Sequence, residues 1–192
     1  FGVLRSTAIG NHVFDVELYL SERDHYNLQY FDLFFYNNKE MTNQHWPVMV
    51  NRVIKLHPFV RYLYDVNKLF PNGSIHNIEI YPNDLYPKSM MSNDFKDVLW
   101  NTNPHVMFTK KENNLGQQYL KDFGIKPDEK FICFIVRDPA YKEIYQGNIK
   151  PDWSYHDFRN SNIQNCKKAI STLSEKGYWI FRMGKGVASK FN

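Results

Sequence analysis

Two apolar runs, each ending in charged residues, constrain the fold of this chain most strongly. The first covers Phe131–Val136 and ends in Arg137-Asp138, and the second covers Tyr178–Phe181 and ends in Arg182. An uninterrupted apolar run is typical of a strand covered on both faces, as in a parallel sheet flanked by helices. Ligands of such open sheets bind beyond the carboxyl ends of the strands. The runs therefore predict an α/β fold with charged side chains at the ligand-binding edge.

The segment between the two runs predicts the helix of a β–α–β unit. Ser161 to Gln164 fits a capping box, and the helical pattern extends from Asn162 to Lys176, where Gly177 ends it. Because strands joined through a crossover helix are parallel, we expect the two runs to be adjacent strands of one sheet.

The first half of the chain carries a second α/β pattern, which we expect to form a separate sheet. The predicted strands are Phe1–Leu4, Leu28–Tyr36, Ile75–Tyr81 and Val106–Phe108. The predicted helices are Val13–Glu22, a segment capped by Thr42 or Asn43 that includes Val50, Val53 and Ile54, then Val60–Leu69 and Leu115–Phe123. Residues 82–104 are expected to form a loop with one short helix. Gly124 and Pro127 end the last helix, which predicts two domains, 1–115 and 116–192, with a connector near 110–128.

Composition narrows the class of protein. The net charge of +4 comes from 24 basic and 20 acidic residues scattered along the chain, so no basic stripe predicts a nucleic-acid partner. No apolar run approaches the roughly 20 residues that span a bilayer, and no signal peptide is evident, which predicts a cytoplasmic location. Peripheral contact with a membrane stays open. Cys133 and Cys166 lie in apolar and helical patterns and are expected to be buried thiols in a reducing compartment.

The arginines at the strand ends can have one of two roles. An arginine at this place can bind phosphate oxygens with two hydrogen bonds. It can equally form a structural ion pair, Arg137 with Asp138 or with Asp157. Arg182 repeats the pattern in the second run, where Gly184 would let backbone approach a ligand closely.

Two loops supply candidate catalytic residues. Asp152 to Asn160 combines acidic, basic and aromatic side chains, and His156 or Asp157 could act as a general base. The alternative is an ordered loop whose polar groups cap the next helix. Gly10-Asn11-His12 fits either a glycine turn that binds an anion or acceptor at a helix N-terminus or a plain turn. No cluster of metal ligands is evident.

Residues 130–184 resemble a family of bacterial glycosyltransferases found with surface-polysaccharide genes and similar in pattern to GDP-fucose-using transferases. The likeness rests on the first run with Arg137-Asp138, on Asp152 to Asn160, and on the second run with Arg182-Met-Gly184. It extends more weakly over Phe1 to Asn37. The related fucosyltransferases end a strand in a His-x-Arg motif whose arginine contacts the donor phosphates. Arg137 matches that arginine, whereas Ile135 or its neighbour occupies the histidine position.

The resemblance implies a GT-B fold, in which two Rossmann-like domains face a cleft. The chain lacks an initiator Met and closes soon after Gly184, so we expect a fragment, inactive by itself, with an incomplete C-terminal domain. The implied reaction transfers a sugar from a nucleotide-activated donor, a GDP-linked sugar being one candidate, to a glycan or polysaccharide, without a metal or other cofactor. The expected base is His156, Asp157 or His12, in falling order. The expected donor-side residues are Arg137, Asp138, Tyr155, Arg159, Asn160, Arg182 and Gly184, and those on the acceptor side are Arg5, Gly10 and Asn11.

A different class of function stays open. The missing motif histidine favours a catalytically degenerate α/β protein that binds a glycan or nucleotide without turnover.

Overall fold

The computed structural model describes residues 1–78, 94, 97–146, 152, 154–184 and 186–188, without the side chains of residues 145, 146 and 156. The chain divides into two compact units, Phe1–Lys111 and Glu112–Asn192. Both contain a small parallel sheet together with helices, as predicted for an α/β protein.

The N-terminal unit is built on a sheet of three parallel strands. The strands are β1 (Gly2–Leu4), β2 (Leu33–Tyr36) and β3 (Lys55–Leu56). The helices are α1 (Ile9–His25), α2 (Trp46–Val50) and α3 (Val60–Asn67), with 3₁₀ turns at Gly73–His76 and Val98–Trp100. The N-cap position of α2 is His45 rather than Thr42 or Asn43, but Asn43 Oδ1 accepts the backbone N–H groups of His45 and Trp46 at the start of this helix.

Neighbouring residues of a strand point to opposite faces of the sheet, so apolar side chains lie on both faces. Helices pack against each of them. Phe34 faces a core formed with α1, α2 and the turn after α2, and the members of this core are Leu4, Val16, Tyr19, Leu20, Phe34, Val50 and Ile54. Phe35 faces the other way and packs against Val60 and Tyr64 of α3. The apolar positions of the sequence thus form two cores around one sheet.

The order of the strands reverses at β1. The chain moves from β1 to β2 to β3 in one direction, and Ile78 then returns to pair with Gly2 in parallel on the opposite side of β1. In open α/β sheets such a reversal opens a crevice at the carboxyl ends of the strands. The topology therefore directs attention to the residues that follow β1.

The C-terminal unit contains a parallel pair of strands, β4 (Phe131–Ile135) and β5 (Trp179–Met183), in which Phe131 lies opposite Trp179 and Ile135 opposite Met183. Its helices are α4 (Lys110–Asp122), on which the division between the units falls, α5 (Ala140–Gln146) and α6 (Lys167–Glu175). Further 3₁₀ turns lie at Ser154–Arg159 and Ile163–Cys166. The predicted parallel neighbours are confirmed, as is the separate sheet for β1 and β2.

Several predicted elements differ from the structure. No strand forms at Val106–Phe108, because the N–H groups of His105 and Val106 donate to the carboxylate of Glu17 rather than to another backbone. Residues 28–32 lie outside β2. Ile75 belongs to a 3₁₀ turn, and residues 79–81 of the predicted strand lie outside the described residues, as does much of the predicted loop 82–104.

The expectations for the C-terminal unit also need correction. The predicted capping box does not start an α-helix: Asn162 caps the 3₁₀ turn Ile163–Cys166, where its Oδ1 accepts the N–H of Gln164, and α6 follows from Lys167. Within the described residues, β4 is not covered on both faces: Phe131, Cys133 and Ile135 alternate as exposed positions, and 78% of Ile135 is accessible. Cys133 is therefore an exposed thiol.

Replacement of Gly2 by alanine should destabilise the N-terminal unit. A Cβ at this position would lie 2.0 Å from Cε1 of Phe34, a ring that cannot move away because it fills the core. We expect a loss of about 1–3 kcal/mol in the free energy of unfolding, measured by urea denaturation. Gly10→Ala is the matched control in α1, where a Cβ meets nothing within 4 Å and should stabilise by up to ~1 kcal/mol. Equal effects of the two substitutions would contradict the packing of Phe34 on Gly2.

Candidate functional site

Arg137 lies just beyond the carboxyl end of β4, as the sequence predicts. The 3₁₀ turn Ser154–Arg159 is held beside it because the backbone N–H of Ser161 donates to the carbonyl of Arg137 at 2.8 Å. Within the turn, Asn160 donates to Asp157 through both its backbone and its side chain. This edge of the C-terminal unit therefore gathers Arg137, Asp157 and Arg159.

The charges at this edge are not balanced. Burial lowers the pKa of the Arg137 guanidinium, the positive charge of Arg159 lowers it further, and Asp157 acts in the opposite direction. Among the described residues, no carboxylate lies within ion-pair distance of either arginine. An arginine stays charged in proteins, so the two cations together form a place where an anion would be stabilised.

Asp138 and Arg182 are committed to each other. The Arg182 guanidinium donates to Asp138 Oδ2 at 3.3 Å, and the same oxygen accepts the N–H of Ala188 at 3.0 Å. Asp138 Oδ1 accepts the N–H of Ala140 at the start of α5. Arg182 lies inside β5 opposite Phe134, rather than after the end of the strand. The sequence left open an ion pair of Asp138 with Arg137, whereas in the structure Asp138 pairs with Arg182 and joins the ends of both strands.

The remaining donor-side residues have different settings. Tyr155 and Asp157 are exposed and Asn160 is half-buried. Gly184 has a φ of 153°, which side-chain-bearing residues rarely adopt, and it turns the chain so that Ala188 reaches Asp138. His156 belongs to the 3₁₀ turn, but its side chain lies outside the described part of the chain.

Arg5 of the N-terminal unit is buried in an ion pair. Its Nε and terminal nitrogen donate to the two carboxylate oxygens of Asp15 at 2.7 and 2.5 Å. Asp15 is fully buried, and burial raises its pKa, whereas the hydrogen bonds and charge of Arg5 act in the opposite direction. The pair ties the residue that follows β1 to α1, so this guanidinium serves the fold more directly than an acceptor.

His12 lies in the first turn of α1 and is 1% exposed. Its Nδ1 is 3.0 Å from Thr42 Oγ1, and its ring meets the Tyr36 ring edge to face with 5.1 Å between centroids. Burial lowers the pKa of this imidazole to about 4, so it is neutral at physiological pH. Among the described residues, neither His12 Nε2 nor the buried Tyr36 hydroxyl has a hydrogen-bond partner. The neighbouring Gly10 is exposed and Asn11 half-buried.

Sequence reasoning missed three residues of this region: Asp15, Tyr36 and Thr42. Asp15 lies 10 residues after Arg5, and Thr42 lies 30 residues after His12. Each pair comes into contact only in the folded chain. The available sequence signal for this region was Tyr36, because its side chain carries a hydroxyl group at the end of a β-prone run.

Comparison of the chain with protein-family models, curated proteins and solved structures gave no match. Within the described ranges, no helix has the length and apolar character needed to cross a bilayer. The same ranges contain no group of three or more His, Cys, Asp or Glu side chains arranged to hold a metal ion.

Replacement of Arg5 by alanine should cost about 3–5 kcal/mol in the free energy of unfolding, because it leaves the Asp15 carboxylate buried without its partner. The double variant Arg5→Met with Asp15→Leu should recover most of this loss, since it removes both buried charges. Urea denaturation of the single and double variants measures both quantities. An Arg5→Ala protein of unchanged stability would show that the pair does not hold the fold.

The stability of the N-terminal unit should depend on His12 between pH 4 and 6.5. The folded-state pKa of about 4 lies below the ordinary 6.5, so the unfolded chain binds the proton first as the pH falls. The free energy of unfolding is therefore highest above pH 6.5 and decreases by about 3 kcal/mol on acidification to pH 4. The measurement is the pH dependence of unfolding in wild type minus that in His12→Gln. His25→Gln, at an exposed histidine, should keep the wild-type dependence, and an unchanged slope in His12→Gln would contradict the prediction.

Proposed function

We propose that this chain is part of a glycosyltransferase that moves a sugar from a nucleotide-activated donor to a glycan or polysaccharide. The observation that carries the proposal is the pair of arginines, Arg137 and Arg159, brought together at the carboxyl end of β4 without a carboxylate in ion-pair distance among the described residues. Two cations at one place repel each other unless an anion joins them. The diphosphate of a nucleotide sugar is such an anion.

The position of the arginines supports a donor site. Arg137 follows a strand of a parallel sheet, at the edge where α/β proteins bind nucleotides, and the 3₁₀ turn brings Arg159 close to it. Arginine presents a planar fork of donors that matches phosphate oxygens, and the same charges would stabilise the departing diphosphate without a metal. Tyr155, exposed beside them in the 3₁₀ turn, offers an aromatic face to the donor.

The proposed architecture is that of a GT-B enzyme with two Rossmann-like domains. The reversed strand order at β1 and the parallel β4–β5 pair support that architecture. Asp138 and Arg182, expected on the donor side, act here through their ion pair, which aligns the strand ends that carry Arg137.

The candidate bases differ in what supports them. Asp157 is exposed and close enough to Arg137 to affect its pKa, so a carboxylate stands beside the proposed donor site. His12 is neutral, which a base must be. His156 stays a candidate base because the 3₁₀ turn that contains it is held beside Arg137.

A degenerate binding protein is the second candidate function. Ile135 is a fully apolar, exposed residue near the place where the fucosyltransferase motif carries histidine. A chain of this kind would bind the nucleotide through the same arginines and would not turn it over.

Replacement of Arg137 by alanine should weaken GDP binding by roughly 1.5–3 kcal/mol, the scale of a hydrogen bond to a charged group. Arg137→Lys should recover little, because lysine lacks the two-pronged geometry. Isothermal titration with GDP and UDP, at low and at physiological salt, measures the loss and its ionic part. Arg61→Ala is the control, since Arg61 is an exposed arginine of α3 in the other unit.

Two results would reject the donor site. One is GDP binding by Arg137→Ala equal to that of wild type. The other is a lower melting temperature with unchanged binding, which would make Arg137 a structural residue. Turnover of a panel of nucleotide sugars by the longest natural form of the protein separates the transferase from the degenerate binder.

A further inference from the structure

The carboxyl end of β1 combines several features of a second ligand site. The strand order reverses at β1, and on the β2 side of this strand the loops that follow β1 and β2 are hydrogen-bonded to each other. The N–H of Asn37 donates to the carbonyl of Leu4 at 3.1 Å, and the N–H of Thr42 donates to the carbonyl of Ser6 at 3.0 Å. The Ser6 hydroxyl donates to the carbonyl of Glu40 at 2.6 Å. These contacts close the loops around the first turn of α1, where His12 lies.

Two polar atoms inside this enclosure lack partners among the described residues, His12 Nε2 and the Tyr36 hydroxyl. The edge-to-face contact of the two rings keeps these atoms in one neighbourhood. A buried polar atom without a hydrogen bond lowers the stability of the fold, and this region contains two such atoms. Such a loss is tolerated where a ligand supplies the missing bonds.

The electrostatics of the enclosure favour an uncharged ligand. The guanidinium of Arg5 is matched by the carboxylate of Asp15 through two hydrogen bonds. His12 is neutral, and burial raises the pKa of the Tyr36 hydroxyl far above the physiological range. Neither His12 nor the Tyr36 hydroxyl carries a positive charge that would hold a phosphate, in contrast to the arginines at the edge beside Arg137. A hydroxyl group, which can donate to one atom and accept from the other, fits both.

We propose that His12 Nε2 and the Tyr36 hydroxyl bind one hydroxyl group of an uncharged carbohydrate. The assignment rests on the proposed glycosyltransferase function, in which this carbohydrate is the acceptor. Thr42 is the positioning residue, because its bond to Nδ1 fixes the ring and decides whether Nε2 donates or accepts. Both binding atoms are buried, so binding of the hydroxyl requires a displacement of the side chains around them.

The test uses the chain with methyl glucoside, methyl galactoside and methyl mannoside as probes. Binding is followed by saturation-transfer NMR and by the ¹⁵N shift of His12 Nε2, and stability by thermal unfolding. Tyr36→Phe should raise the melting temperature, because it deletes a buried hydroxyl that has no partner. The same substitution should weaken binding of the recognised glycoside about tenfold, the effect of one lost hydrogen bond. A structural role alone would not move the two quantities in opposite directions.

The chain offers a matched control in a second histidine–tyrosine pair. His25 and Tyr26 also meet edge to face, with 4.8 Å between centroids, but on the surface. Tyr26→Phe should change neither melting temperature nor binding.

Three results would overturn the proposal. Failure of all three glycosides to shift His12 Nε2 in wild type, up to the solubility of the probes, is the first. A lower melting temperature of Tyr36→Phe is the second, since it would mean that an internal water or another group already satisfies the hydroxyl. Equal glycoside binding by Tyr36→Phe and wild type is the third.

GDP titration of the same samples separates this proposal from the proposed function. Glycoside binding without GDP binding rejects the transferase and keeps the subsite. GDP binding that depends on Arg137, without glycoside binding, rejects the subsite alone.

Discussion

The ion pair between Arg5 and Asp15 is the constraint on which the N-terminal unit depends. It joins the end of β1 to α1 inside a protein interior, where the low dielectric strengthens both the attraction and the cost of losing a partner. Asp15 and His12 are one turn apart on α1 and therefore share a face of the helix. Fixing Asp15 also fixes the imidazole, and with it the contacts to Thr42 and Tyr36. One interaction thus sets the position of the whole polar enclosure.

The sequence predicts the local pattern well and the long-range pairing poorly. An apolar run, a helical segment and a terminating Gly177 were sufficient to predict that β4 and β5 are parallel neighbours, because few arrangements bury such a pattern. The pairing of Asp138 with Arg182 could not be predicted, since these residues are 44 positions apart and meet only through the register of β4 and β5. The burial of His12 follows from loops that close only in the folded chain.

The carboxyl ends of the strands differ in local charge between the two units. Beside β4, the cations of Arg137 and Arg159 exceed the carboxylates that could balance them locally. Beside β1, the charge of Arg5 is neutralised by Asp15, and His12 is neutral. The geometry of parallel strands supplies a place for a ligand in both cases, and the pairing of each arginine decides which chemistry it selects.

The exposed face of β4 gives the C-terminal unit a built-in chemical reporter. Cys133 lies between Phe131 and Ile135 on the same side of the strand, and its thiol is accessible in the described structure. An alkylating reagent can therefore reach it, at a rate set by access to the sulfur. Any layer that covers these apolar side chains, whether from this protein or another, shields the thiol as well. The rate of alkylation at this one cysteine is thus a direct measure of how much of the face is covered under given conditions.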